Sequence, residues 1–121
     1  MTRPYIPDRN HLIWLDYEPT KGREIEKYRP ALVLSSKQYN QQTGLLISCP
    51  VSTSIRGGLT EVPINNLKKP SVVAASLVQT LAWRERKARF IAKAEEGVLE
   101  AVLQRLLPLM GAESLLNRMN A

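Results

Sequence analysis

Val98-Leu99-Glu100-Ala101-Val102-Leu103-Gln104-Arg105-Leu106-Leu107-Pro108-Leu109-Met110 is where this sequence changes period. Val98, Leu99, Val102, Leu103, Leu106, Leu107 and Met110 recur at i, i+3 and i+4, so one side of a helix would carry nearly all the apolar groups. Glu95 and Glu96 precede it, at the end where a helix dipole is positive. Pro108 lacks an N–H and should kink or loosen the last turn. Gly111 supplies a stop, and residues 113–121 predict a short helical or frayed tail.

Upstream the apolar runs are short and keep strand period. Residues 11–17 alternate, with Ile13, Leu15 and Tyr17 on one face. Residues 18–28 hold Pro19, Gly22 and six charged side chains, the composition of a long exposed loop. Residues 31–34 form a buried strand opened by Pro30. Residues 37–43 are polar and turn-like, closed by Gly44. A third strand is expected over 45–49, and then a hydroxyl-rich loop over 50–58 ending in Gly57-Gly58. Residues 59–64 alternate as a half-buried strand that Pro63 places at a sheet edge. After a turn at 65–70 come residues 72–82, one long strand or two separated by a bend, and a last short strand over 88–92. Closely spaced strands followed by a helix predict a mostly β domain, a small curved sheet or partial barrel capped by a C-terminal helix.

The chain has 121 residues, the size of one domain, with its core over about 5–111 and a tail over 112–121. The net charge of +6 implies an anionic partner: nucleic acid, an acidic protein, or both. No apolar stretch approaches the roughly 18 residues of a membrane span, and the N-terminus carries no apolar segment of a secretory signal. Cys49 and His11 are the only residues of their kinds, which excludes an intramolecular disulfide and nearly excludes a structural zinc site. No metal and no cofactor are expected, and a reducing cytoplasm is the expected compartment.

Specific motifs run through the same segments. They are Tyr5-Ile6-Pro7-Asp8, Asp16-Tyr17-Glu18-Pro19-Thr20-Lys21-Gly22-Arg23-Glu24 and Arg29-Pro30-Ala31-Leu32-Val33-Leu34-Ser35. They continue through Tyr39-Asn40, Thr43-Gly44-Leu45, Cys49-Pro50-Val51-Ser52-Thr53 and Ala82-Trp83-Arg84-Glu85-Arg86. In these the chain resembles the MazF/PemK family of toxin endoribonucleases of type II toxin–antitoxin systems. The resemblance implies a strongly curved antiparallel, SH3-like sheet with a C-terminal helix. It implies a homodimer with an RNA groove along the dimer face, and sequence-selective, metal-independent cleavage of single-stranded RNA to 2′,3′-cyclic phosphate and 5′-hydroxyl ends. It also implies a cognate antitoxin with an acidic, disordered tail.

Cleavage of that kind uses the 2′-hydroxyl as nucleophile and needs a base, an acid for the leaving 5′-oxygen, and donors for the phosphorane charge. Arg29 matches the family's catalytic arginine, and its planar, permanently charged fork suits two phosphate oxygens. Glu24 is either a solvated loop carboxylate or the group that orients Arg29 or accepts the 2′-hydroxyl proton. Ser52 stands where the family usually has threonine; its hydroxyl either donates to the scissile phosphate or caps a turn, and Thr53 is a second choice. Lys21, Arg23, Lys27 and Arg56 on the loops, with Arg84 and Arg86 beside Trp83, are the expected RNA contacts, Lys87 and Arg89 lying close by. Trp14 and Trp83 suit a core or a dimer interface as well as base stacking. His11 is expected to be structural.

The sequence also departs from the family. Many relatives carry an Asp-Gln pair where this chain has Ser76-Leu77, so an acid/base role for that Asp does not carry over. Ile25 replaces the usual Gln, and Tyr28 the usual His or Gly before Arg29. Two other functions compete: a gyrase poison of the CcdB type, which shares the fold, and an inactive relative that only binds RNA or antitoxin.

Overall fold

The structure, a computed structural model, describes residues 4–17 and 28–120. Its strands are β1 (His11–Asp16), β2 (Tyr28–Val33), β3 (Leu45–Ser52), β4 (Glu61–Ile64), β5 (Ser71–Ala74), β6 (Gln79–Ala82) and β7 (Arg89–Lys93). Three helices join them: α1 (Lys37–Thr43), α2 (Val98–Leu109) and α3 (Ala112–Met119). All strand pairings are antiparallel, in the order β4-β5-β3-β2-β1-β7, with β6 added to β3. The sheet curls into a half-barrel closed by the C-terminal helices.

Alternation along β1 and β2 feeds two cores. Leu12, Leu32, Cys49 and Val51 join Val62, Ile64, Val73, Val98 and Val102 between the sheet and α2. Ile13, Leu15, Ala31 and Val33 join Leu46, Leu81 and Trp83 on the opposite face, with Tyr17 packed against them. The expected face of Ile13, Leu15 and Tyr17 is therefore present, and Leu12 is buried too because the sheet is covered on both sides. The helical stripe holds as well: Val98, Val102 and Leu106 are buried, each contributing about 1.5–3 kcal/mol. Met110 does not belong to it. It caps the helix just past Pro108 and is 69% exposed. Pro63 does mark an edge strand, as its missing N–H requires.

Two segments differ from expectation, and a third takes the bent one of its two expected forms. The polar, turn-like residues 37–43 form α1, capped by the Ser36 hydroxyl, which accepts from the Tyr39 N–H at 3.2 Å, and by Gly44 at φ 72°. Only Asn40 of that helix is buried, so it has no apolar period to betray it. Pro50–Ser52 belong to β3 rather than to the following loop. Residues 72–82 split around a 3-10 helix, Ala75–Leu77.

Asn40 ties this part of the fold together. Its amide donates to the carbonyls of Pro7 at 2.8 Å and Ser35 at 3.3 Å, and its side-chain oxygen accepts from the Ser35 hydroxyl. Ser35 in turn accepts from the Ile47 N–H, and the Asn40 carbonyl accepts from the Trp83 indole at 2.9 Å. Asn40→Ala leaves these buried groups unpaired and should cost about 1–3 kcal/mol. Thermal denaturation should show a midpoint lower by roughly 4 °C for each kcal/mol lost.

Candidate functional site

A proline ends the ladder between β2 and β3. The paired residues are Val33↔Ser48, Leu32↔Cys49 and Ala31↔Pro50. Pro30 has no N–H to give toward β3, so the ladder loses a donor where the pairing stops. Continued by two residues, the same register sets Arg29 opposite Ser52. On its other side Arg29 pairs with Leu15 of β1, and Ser52 pairs with Val72 of β5. Leu15, Arg29 and Ser52 thus line up on the face that carries Ile13, Ala31 and Tyr17.

Arg29 is exposed and Ser52 half-buried at this opened end. The Ser52 hydroxyl accepts from the Ser54 N–H at 3.0 Å, the turn-capping bond expected of a serine there. That bond uses a lone pair only, and the hydroxyl proton has no acceptor among the described residues. A permanent cation and a hydroxyl donor at one strand end can hold a phosphate and stabilise added negative charge on it. Cys49 lies close in sequence, but burial pushes its thiol up to about 11, so it offers no thiolate near neutral pH.

The expected cations divide by place. Lys21, Arg23, Lys27 and Glu24 lie outside the described residues. Arg56 is on the loop after β3, where its N–H and those of Gly57 and Gly58 all donate to the Glu61 carboxylate. Arg84 is exposed, with its guanidinium 4.3 Å from the centre of the buried Trp83 ring. Arg86 is turned inward: its Nη1 donates to the carbonyls of Asp16 at 3.1 Å and Tyr17 at 2.9 Å. Trp83 is 5% exposed and belongs to the core. His11 shares a 2.8 Å hydrogen bond with the Tyr5 hydroxyl and meets the Phe90 ring edge-on at 4.9 Å, a structural setting. Burial holds its pKa below 6.5, with the Asp8 carboxylate opposing.

The other face of the sheet carries a second feature that the sequence did not reveal. Trp14, paired with Pro30, stacks on Tyr28 with ring centres 5.8 Å apart. Arg89 lies over the Tyr28 ring at 5.2 Å and donates to its hydroxyl at 3.1 Å. Beside this stack opens a cavity of about 620 Å³, with Trp14, Pro30, Thr53, Lys68, Lys69 and Ile91 among its walls. Lys68 and Lys69 were not singled out from sequence, and Tyr28 only as a departure from the family pattern. The adjacent Lys68-Lys69 pair and the tyrosine beside Arg29 were the available signals. Thr53 faces this cavity, away from the row of Arg29 and Ser52.

Ser76 and Leu77 are exposed on the 3-10 turn, Ser76 within 3.3 Å of the Thr60 hydroxyl. Among the described residues, no helix is long and apolar enough to cross a membrane.

Residues 8–110 match the family described as PemK-like, MazF-like toxin of type II toxin-antitoxin system. The chain is 41% identical over 88 residues to the endoribonuclease toxin MazF of Escherichia coli K12, covering 73% of this chain and 79% of that protein. It is 34% identical over 66 residues to endoribonuclease MazF3 of Mycobacterium tuberculosis, 52% of this chain and 64% of the relative. The fold matches MazF of Deinococcus radiodurans with a TM-score of 0.80 at 41% identity, over 89% of this chain and 99% of the other. A MazE–MazF complex from the same organism matches with a TM-score of 0.79 at 38% identity, over 89% and 98%. With the motif segments, the curled sheet and these matches in agreement, the chain belongs to the MazF/PemK family of toxin endoribonucleases of type II toxin–antitoxin systems.

Proposed function

We propose that this chain cuts single-stranded RNA at preferred sequences, without a metal ion, and leaves 2′,3′-cyclic phosphate and 5′-hydroxyl ends. The observation that carries this is the place of Arg29 and Ser52 at the opened ends of β2 and β3, where the register, continued two residues past Ala31↔Pro50, sets them opposite each other. In the reaction the 2′-oxygen of one nucleotide bonds to the adjacent phosphorus and the bond from phosphorus to the 5′-oxygen breaks. The 2′-hydroxyl proton passes to a base, and the leaving 5′-oxygen gains one. Arg29 stabilises the charge on the non-bridging oxygens. Ser52 donates its uncommitted proton to the same group. Glu24 is the carboxylate assigned as base or as the partner that orients Arg29.

Binding draws on the net charge of +6 and on Lys21, Arg23, Lys27, Thr53, Arg56, Arg84 and Arg86, of which Arg86 has the least freedom to reach outward. A homodimer would build the groove from two copies. The partner that silences the enzyme is an acidic antitoxin. The cavity beside Trp14, apolar within and flanked by Lys68 and Lys69, suits an apolar side chain on an acidic segment.

The deciding experiment is incubation of the purified protein with a long single-stranded RNA in EDTA, followed by mapping of the ends. Cleavage to 5′-hydroxyl ends supports the proposal. Tight binding with intact RNA would leave an inactive relative. Arg29→Ala should lower the cleavage rate by at least about 100-fold, with an unchanged melting temperature because the side chain is exposed; wild-type rates in that variant rule out the mechanism.

Ser52→Ala tests the second donor. Its proposed bond strengthens as the phosphorane forms, so kcat should fall about tenfold while KM stays within about twofold. An equal loss in RNA affinity would assign Ser52 to binding or to its turn instead.

Affinity should also fall steeply with salt. Three phosphate contacts to a single strand give a slope of about −2 for log K against log salt, measurable by fluorescence anisotropy on a non-cleavable RNA analogue. A flat response would favour a protein target of the gyrase kind.

A further inference from the structure

Among the described residues, three buried polar atoms have no hydrogen-bond partner: Asn10 Oδ1, Ser48 Oγ and the Tyr17 hydroxyl. An unmade bond in the interior is costly, so such an atom is retained for a reason outside the free fold. Ser48 lies mid-strand, paired with Val33 on one side and Gln79 on the other, closed in from both edges. Asn10 sits in the turn before β1 with φ 74°, far along the strand from Arg29. Tyr17 is different. It follows β1 on the face of Leu15, and Leu15 is the direct partner of Arg29. Tyr17 and Arg29 are therefore diagonal neighbours on one face, a separation that long side chains bridge.

The backbone under Tyr17 is held firmly. Arg86 donates to the carbonyls of Asp16 and Tyr17, and its own carbonyl accepts from the Asp16 N–H at 2.9 Å. The ring packs against the core of Ile13, Leu15, Ala31 and Trp83. Burial raises the pKa of the hydroxyl above its ordinary value, and the Cys49 thiol adds to this, while Arg86 and Arg29 act in the opposite sense. The group keeps its proton at any working pH and is available as a donor.

We infer that the Tyr17 hydroxyl is a third donor to the scissile phosphate, acting beside Arg29 and Ser52. The inference rests on the proposed role of Arg29 and Ser52 and adds a residue to it. In the free protein the oxygen is sealed from solvent and unpaired. A rotamer change of the kind common at interfaces turns it toward the group that Arg29 binds. Binding then supplies the bond that the fold withholds, so the cost carried by the free protein is relieved only when RNA is in place.

The test is Tyr17→Phe, which removes one oxygen and keeps the ring, with Arg29→Ala alongside. Three measurements are made: the melting temperature, kcat/KM on a single-stranded oligonucleotide containing a mapped cut site, and the rise in melting temperature caused by a 2′-deoxy analogue of that oligonucleotide. The expected result is a melting temperature equal to or above wild type, kcat/KM lower by about tenfold or more, and a smaller rise with the analogue. A hydroxyl that serves the fold alone predicts the reverse, a lower melting temperature with cleavage otherwise intact, and that outcome overturns the inference. So does wild-type cleavage in Tyr17→Phe. If Arg29→Ala is then inactive, the phosphate site stands without Tyr17; if Arg29→Ala also cleaves normally, the underlying assignment of the site fails as well.

Discussion

Leu45–Ser52 carries ladder bonds to three other strands, β2 on one edge and both β5 and β6 on the other. The two registers on that second edge do not match. Stepping from Val51 to Ser48 crosses three residues of β3, while their partners Val73 and Gln79 are six apart. Three residues are therefore in excess, and they leave the ladder as the 3-10 turn Ala75–Leu77. The positions of Ser76 and Leu77 outside the ladder follow from this mismatch; both are exposed, while Ala75 of the same turn is buried in the core. The open end beside Arg29 and Ser52 has a related cause in Pro30, which withdraws a donor from the opposite edge. One strand thus sets the geometry of both the row of Arg29 and Ser52 and the surface next to it.

Much of this was legible in the sequence because burial leaves a period. Helix α2 showed itself through Val98, Val102 and Leu106, and β1 through the alternation of Ile13, Leu15 and Tyr17. Pro63 marked an edge by chemistry alone. Helix α1 left no such trace, since its one buried residue is polar and its stability comes from the caps at Ser36 and Gly44 and from the Asn40 network. The split of residues 72–82 was half legible: a bend could be anticipated, but its place depends on a register mismatch with a strand more than twenty residues upstream.

The site was legible in a different way. Arg29, Glu24 and Ser52 stood out through motif resemblance, and periodicity had nothing to say about them. The structure adds a register that, continued past Ala31 and Pro50, sets Arg29 opposite Ser52. It also separates residues that the sequence had grouped by charge. Arg84 and Arg86 are two positions apart, yet one lies exposed over Trp83 and the other is spent on backbone carbonyls. Charge counting cannot distinguish them, because a guanidinium that satisfies buried carbonyls contributes to the same net charge as one facing solvent. The Trp14–Tyr28–Arg89 stack was invisible for the same reason: its members come from three strands.

The two faces of the sheet carry different chemistry. On one, Leu15, Arg29 and Ser52 form a row with the unpaired Tyr17 hydroxyl beside it. On the other, Trp14, Pro30 and Thr53 border an apolar cavity with lysines at its wall. Residues adjacent in sequence alternate between them: Arg29 belongs to the first and Pro30 to the second, Ser52 to the first and Thr53 to the second. A ligand filling the cavity therefore presses on the backbone of the same strand ends that present Arg29 and Ser52. Interiors and sheets transmit small displacements because they are closely packed. A ligand seated beside Trp14 has a physical route to the row of Arg29 and Ser52 without occupying it, through Pro30 and Thr53. Rigid Pro30 makes the first of these routes the stiffer one, since its fixed φ leaves that backbone little room to absorb the strain locally.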